Sequence, residues 1–122
     1  MSETFDIAIL GGGCAGLSLA RELTNLSYSN SVIIIEPRTI YRNDRTWCFW
    51  DGAQHSLSEI VSKQWLHWRF STENQIVVHT GGDLSYQQIR SSDFYQACLK
   101  TIATRQNFEL RQGLCAKTVS IS

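Results

Sequence analysis

The run Gly11-Gly12-Gly13-Cys14-Ala15-Gly16 constrains this chain more than any other feature. What surrounds it gives it force. Residues 5–10 are apolar with one charge, Asp6, and predict a buried strand. Residues 14–26 carry helical spacing, with Gly16, Ala20 and Leu23 at i, i+4 and i+7 and Leu19, Leu23 and Leu26 in the same relation. Residues 32–35 are four β-branched residues in succession, the pattern of a parallel strand covered on both faces. Glu36 closes the unit. Strand, glycine turn, helix, strand and terminal acid in this order predict a βαβ unit with a dinucleotide site at the turn.

Each position has a physical task in that arrangement. Gly11 makes the tight turn out of the strand. Gly13 lacks a Cβ, so a diphosphate can approach the backbone. Gly16 lets the helix pack closely on the strand, and Ala20 keeps the contact small one turn later. The helix start presents N–H groups and a positive dipole end to an anion. Cys14 and Ala15 stand at that start. Cys14 is open to two readings, a thiol activated by the helix end or a small residue that fits beside phosphates. Glu36 suits the hydroxyls of a ribose and would repel a 2′-phosphate, which argues against NADP; Arg38, two residues on, weakens that argument. The motif's place at the extreme N-terminus favours FAD over NAD. The competing reading is a structural turn that holds no ligand.

The chain has 122 residues, enough for one domain, with 11 basic and 11 acidic residues and a net charge of zero. No basic footprint points to nucleic acid and no polybasic segment to a membrane anchor. No run approaches the ~20 apolar residues of a membrane span. Met1 lies a few residues before the first strand, leaving no room for a signal or transit peptide, so a cytoplasmic location is expected. Cys14, Cys48, Cys98 and Cys115 have no metal-site spacing, and three of them lie in apolar sequence; they read as reduced thiols. His55, His67 and His79 form no ligand cluster, and no metal is expected.

Beyond Glu36, Pro37 ends the strand. Residues 39–51 read as an arginine-rich aromatic loop. Residues 56–64 predict a short helix capped by Ser56 or Ser58. Residues 65–70 and 75–80 predict strands. Gly81, Gly82 and Asp83 supply a turn, with 84–89 as the returning strand. Ser91 reads as the N-cap of a helix running to about Arg105, whose apolar residues Phe94, Ala97, Cys98 and Ile102 share a face. Residues 108–111 predict a strand that rejoins the parallel sheet, and 119–121 the beginning of another. The fold class is therefore α/β: a Rossmann-like FAD/NAD(P)-binding domain of the glutathione-reductase type (ββα-layered), truncated and carrying an antiparallel β insertion. The βαβ unit occupies 4–36, the aromatic loop and antiparallel excursion 37–90, and the helix with its returning strand 91–122. Two readings of Trp47, Phe49, Trp50, Trp65, Trp68 and Phe70 stay open, core packing or a pocket for a flavin or large apolar substrate. Arg42 and Arg45 are either solvated or phosphate contacts.

Two segments go beyond a generic flavin motif. One is N-D-R-T-W-C-F-W-D at 43–51; the other is Y-Q-Q-I-R-S-S-D-F at 86–94, followed by Tyr95. Together with G-G-G-C-A-G-L-S-L-A they resemble the N-terminal third of the lycopene cyclase family, the carotenoid β-cyclases of bacteria and plastids. The resemblance implies non-covalently bound FAD, used reduced, with NAD(P)H as the electron source. It implies a net non-redox isomerisation: an acid protonates the linear ψ-end of lycopene, the carbocation closes a six-membered ring, and loss of a proton gives the β-ring. An anionic reduced flavin and aromatic faces would stabilise the cation. Carried over by position, Gly11, Gly13, Gly16 and Glu36 match the family's nucleotide motif, with Cys14, Ala15, Pro37 and Arg38 beside them. Arg45, Thr46 and Trp47 match a post-strand loop near the cofactor. The family's acidic catalytic motif and its second flavin motif have no counterpart here, so the chain is expected to be an N-terminal fragment without catalytic residues. A lipid-resident substrate implies peripheral association with a membrane. The alternatives are a redox flavoenzyme of the same fold (an aromatic hydroxylase, halogenase or isoprenoid reductase) and a non-enzymatic nucleotide-binding module.

Overall fold

A computed structural model describes residues 2–121. Eight strands and two α-helices follow in the order β1 (Ile7–Leu10), α1 (Cys14–Asn25), β2 (Val32–Glu36), β3 (Thr46–Asp51), a 3-10 turn (Ser58–Ile60), β4 (Val61–Trp65), β5 (His67–Ser71), β6 (Ile76–Thr80), β7 (Ser85–Arg90), α2 (Ser91–Ile102) and β8 (Phe108–Gln112). They form two units: Met1–Tyr41 with Tyr95–Ser122, and Arg42–Phe94. Among the described residues no helix is long and apolar enough to cross a membrane.

In the first unit β1, β2 and β8 make an all-parallel sheet with β2 in the centre. The expected return of the 108–111 strand to the parallel sheet is what the structure shows. The β-branched run of β2 is buried almost throughout, as a central parallel strand should be. Asp6, the one charge in the first apolar run, lies just ahead of β1. Its carboxylate accepts hydrogen bonds from the Ser31 N–H and hydroxyl, both at 2.8 Å, and so fixes the entry of β1 beside that of β2.

Helix α1 has 12 residues, too short to be stable alone. Tertiary burial holds it, through Leu17, Ala20 and Thr24. Thr24 bonds its hydroxyl back to the Ala20 carbonyl at 2.7 Å, so the buried face leaves no stray donor there. The leucine series 19, 23, 26 turns the other way: Leu19 is 50% and Leu26 76% exposed. Helical period alone identified two stripes, and the small residues Gly16 and Ala20 marked the one that faces the sheet. The helix ends on Ser27, whose φ of 58° is left-handed; the Tyr28 N–H reaches back to the Leu23 carbonyl at 2.9 Å. Glycine is the residue that relieves such a position.

The second unit departs from the sequence reading in several places. Its sheet is antiparallel, in the order β3-β7-β4, with β5 and β6 as a separate hairpin. Residues 46–51, expected within a loop, are strand β3, because every residue from Thr46 to Asp51 has a partner on β7. The helix expected over 56–64 is a single 3-10 turn followed by β4. Ser58 does not cap: its hydroxyl accepts from the His55 N–H at 2.7 Å and donates to the Ala53 carbonyl at 3.1 Å, while Val61 to Trp65 pair with β7. The strand expected over 65–70 is broken at Leu66 between β4 and β5. The strand after Gly81 and Gly82 is not the partner of β6. Both glycines are left-handed, at φ of 74° and 97°, and the chain leaves the hairpin to enter the centre of the other sheet.

Gln87 explains why β7 is central. It is 1% exposed. Its amide donates to the carbonyls of Asp51 and Gly52 at 3.1 and 2.8 Å and to the Ser85 hydroxyl at 3.0 Å. Its oxygen meets His55 Nε2 at 2.6 Å. Since His55 Nδ1 accepts from the Leu57 N–H at 3.1 Å, Nε2 carries the donating proton. Ser91 is the first residue of α2; its hydroxyl accepts from the Arg45 N–H at 2.9 Å and meets the Asp44 carboxylate at 3.1 Å. Helix α2 stops at Ile102 rather than Arg105, and 119–121 form no strand. All four cysteines are free; Cys98 is buried, with its thiol pushed up to about 11 by that burial, and the other three are exposed, so sequence neighbours misjudged their surroundings.

Two glycine-related substitutions should move stability in opposite directions. Ser27→Gly removes the cost of a left-handed residue and should raise stability by roughly 0.5–1 kcal/mol, the gain left after the added freedom of the unfolded chain. Gly16→Ala forces a Cβ onto the Gly11 carbonyl oxygen and should lower it by about 1–3 kcal/mol. Thermal unfolding reads both.

Candidate dinucleotide site

The site lies in the first unit, where β1 passes into α1. Gly11 leaves the strand at φ 109°, a conformation that L side chains rarely adopt, while its N–H still bonds the Ile35 carbonyl at 2.8 Å. The tight turn expected there is formed. Gly13 is the residue that starts α1, with no side-chain cap and no acid in the first turn. The first bond of the helix runs from the Leu17 N–H to the Gly13 carbonyl at 2.9 Å. The amides of Cys14, Ala15 and Gly16 precede it and have no partner within the helix. Cys14 and Ala15 are exposed and small, so they leave the helix end open to an anion. At Gly16 a Cβ would strike the Gly11 carbonyl oxygen and press on Ile9 Cγ2 at 3.2 Å. The close helix–strand contact expected of Gly16 is therefore present.

Glu36 ends β2 and is only 3% exposed. Oε1 accepts the Gly12 N–H at 3.0 Å; Oε2 accepts the Arg38 N–H at 2.6 Å and Arg38 Nε at 3.0 Å. Burial pushes this carboxyl upward, but the hydrogen bonds from Arg38 and Gly12 and the Arg38 charge outweigh it, and the group sits below the ordinary glutamate value of 4.5. A carboxylate offers about four lone-pair sites. Three donors occupy it, so it can take about one more.

Three residues around it were given no individual role from the sequence. Gly12 is buried, and a Cβ there would meet the Tyr41 hydroxyl and Glu36 Cβ. Tyr41 donates its hydroxyl to the Gly12 carbonyl at 2.7 Å; burial, and then the Glu36 charge, push that phenol up to about 12. Tyr95 on α2 takes Arg38 Nη1 at 3.0 Å. Its ring lies 4.7 Å from that of Tyr41, and the Arg38 guanidinium stands over both, at 5.1 and 5.4 Å. No spacing rule connects Tyr95 to Arg38 across 57 residues.

Pro37 follows β2 and is exposed, ending the strand as expected. With Leu10, Gly11, Ile35, Cys115 and Val119 it lines a largely apolar cavity of about 300 Å³. Gln112 at the end of β8 fixes the next two residues, donating to the carbonyls of Arg38 and Thr39 at 3.3 and 3.2 Å. Arg45, Thr46 and Trp47 belong to the second unit. The Arg45 amide bonds Ser91, Thr46 opens β3, and Trp47 packs edge-on against Phe94 at 5.3 Å. Of the aromatic residues, Trp50 and Trp65 flank Tyr86 at 4.6 and 5.8 Å, and both are substantially exposed.

A dinucleotide asks for backbone donors with no side chain in the way, a positive end for its diphosphate and a carboxylate for a ribose. Gly13, the open start of α1 and Glu36 have that chemistry and stand together in one unit. Cys14, Ala15, Pro37 and Arg38 surround them.

Several solved structures have similar folds. A myxobacterial chondrochloren halogenase, described as a variant of FAD-dependent halogenases, superposes with a TM-score of 0.66 at 15% identity, over 92% of this chain and 29% of its own. The p-nitrophenol 4-monooxygenase PnpA of Pseudomonas putida gives 0.63 at 13%, over 93% and 33%. PqsL of Pseudomonas aeruginosa, a probable FAD-dependent monooxygenase, gives 0.63 at 13%, over 89% and 33%. The chain thus spans about a third of the structures it matches, and at these identities the likeness is one of fold. No curated protein sequence matches. The sequence profile described as Lycopene cyclase protein matches residues 6–119, and over that span, nearly its whole length, the chain belongs to the lycopene cyclase family.

Proposed function

We propose that this chain is the part of an FAD-dependent lycopene β-cyclase that holds the AMP half of the cofactor. The family match over residues 6–119 carries the reading, and the chemistry of the turn supports it. Gly13 and the first amides of α1 would receive the diphosphate. Glu36 would accept a ribose hydroxyl. FAD, reduced at the expense of NAD(P)H, would supply negative charge opposite the cation formed when lycopene cyclises. This chain's own residues bind and orient; none is assigned a proton-transfer role. Lycopene as substrate, and a peripheral membrane position from which to reach it, belong to the same proposal. The halogenase and monooxygenases of the same fold keep a redox flavoenzyme as the second reading.

Expression of the complete gene in a lycopene-accumulating host separates the two. The cyclase reading predicts conversion to carotenoids with β-rings. Lycopene that stays linear, while the protein is made and carries flavin, contradicts it. Binding is tested by titrating FAD into the full-length gene product. Glu36→Ala should weaken affinity by about tenfold or more, since it removes a charge-assisted acceptor. A carboxyl held low in the folded state is lost only as pH falls below its ordinary value. The Glu36 contribution should therefore be flat around neutral pH and decline as pH falls toward and below 4.5. A decline between pH 7 and 5 would mean that Glu36 is not the group that matters.

A further inference from the structure

We propose that Arg38, positioned by Tyr95, is the side chain that meets the diphosphate of the bound dinucleotide and is not a reader of the ribose 2′ position. The inference rests on the dinucleotide reading given above and adds a residue and a specificity to it.

The sequence left Arg38 ambiguous, because an arginine two residues after the ribose acid can serve a 2′-phosphate. The geometry points elsewhere. Nη2 lies 3.2 Å from the place a Cβ on Gly13 would occupy, and Gly13 is where the phosphates approach the backbone. The guanidinium is held on several sides at once. Nε is on Glu36 at 3.0 Å and Nη1 on the Tyr95 hydroxyl at 3.0 Å, with the guanidinium carbon 5.1 and 5.4 Å from the ring centroids of Tyr41 and Tyr95. Such a clamp aims a charge; a solvated arginine has no fixed direction.

Ligand binding supplies a second reason. A ribose diol brings two hydroxyl donors, and the Glu36 carboxylate has room for about one beside its present three. Two of those three are backbone amides, of Gly12 and of Arg38 itself, fixed by the turn and the strand end. Nε of Arg38 is the donor that can turn away. Tyr95 still holds Nη1 when it does, so the group released from Glu36 pivots beside Gly13 and keeps its charge at the phosphate end of the site. Tyr95 thereby acts through Arg38 as a positioning residue.

Three adenine ligands test this in calorimetric titrations of the full-length gene product: adenosine, ADP-ribose and ADP-ribose carrying a 2′-phosphate. Arg38→Ala should weaken ADP-ribose by about 10- to 100-fold, the range of a lost charge-assisted contact. It should not weaken adenosine, and it should leave the discrimination against the 2′-phosphate unchanged. Tyr95→Phe keeps the ring stack and should weaken ADP-ribose when Arg38 is present, but have no further effect in Arg38→Ala, the mark of a residue acting through another. A loss shared equally with adenosine, a loss confined to the 2′-phosphorylated ligand, or additive effects of the two substitutions would each overturn the proposal. Wild-type protein that binds ADP-ribose, with Arg38→Ala binding it as tightly, sinks this inference alone. Wild-type protein that binds none of the three sinks the dinucleotide reading as well.

Discussion

The buried Glu36 carboxylate joins the parts of the candidate nucleotide site. An ionised carboxylate buried without partners would be costly enough to neutralise or expel itself. Here it is met by the Gly12 amide, the Arg38 amide and the Arg38 guanidinium. The first of these ties the glycine turn to the end of β2. The other two curl the chain after β2 back over the same carboxylate, which sets Arg38 beside Gly13 and within reach of Tyr95. The acid that the sequence marks for a ribose is thus also the bolt that holds the turn in shape. Removing it disturbs the turn and Arg38 together.

The βαβ unit could be read in advance because its determinants are local. Gly11 needs its left-handed φ, Gly16 needs its missing Cβ, and the β-branched run 32–35 has no other comfortable place than a buried strand. The second unit was largely illegible because its determinants are pairings between distant residues. Thr46, Trp47, Phe49 and Trp50 are residues that favour strands, but nothing local names the partner about 40 residues on that turns them into one. Ser58 and Ser91 have the chemistry of helix caps, yet each spends its hydroxyl on a neighbouring segment. The roles of Tyr41 and Tyr95 were invisible for the same reason: they exist only once the guanidinium of Arg38 is placed beside both rings.

One long-range relation was present in the sequence without being recognisable as such. The two segments that carry the resemblance to lycopene cyclases, 43–51 and 86–94, contain β3 and β7, which are direct register partners. Trp50 faces Tyr86, Trp47 faces Ile89 and Thr46 faces Arg90. The rings of Trp50 and Tyr86 lie tilted to each other with centroids 4.6 Å apart, and Trp65 joins from β4. What looks like two separate family signatures is one stretch of sheet. The aromatic residues of β3 divide by strand alternation, Trp47 and Phe49 to one side and Trp50 to the other.

The structure of the full-length gene product with FAD bound tests the central claim most directly. The account predicts ribose hydroxyls of the AMP half within hydrogen-bond distance of Glu36, and the diphosphate against the backbone at Gly13 and the first turn of α1. A dinucleotide bound elsewhere, or one whose ribose makes no contact with Glu36, would contradict it.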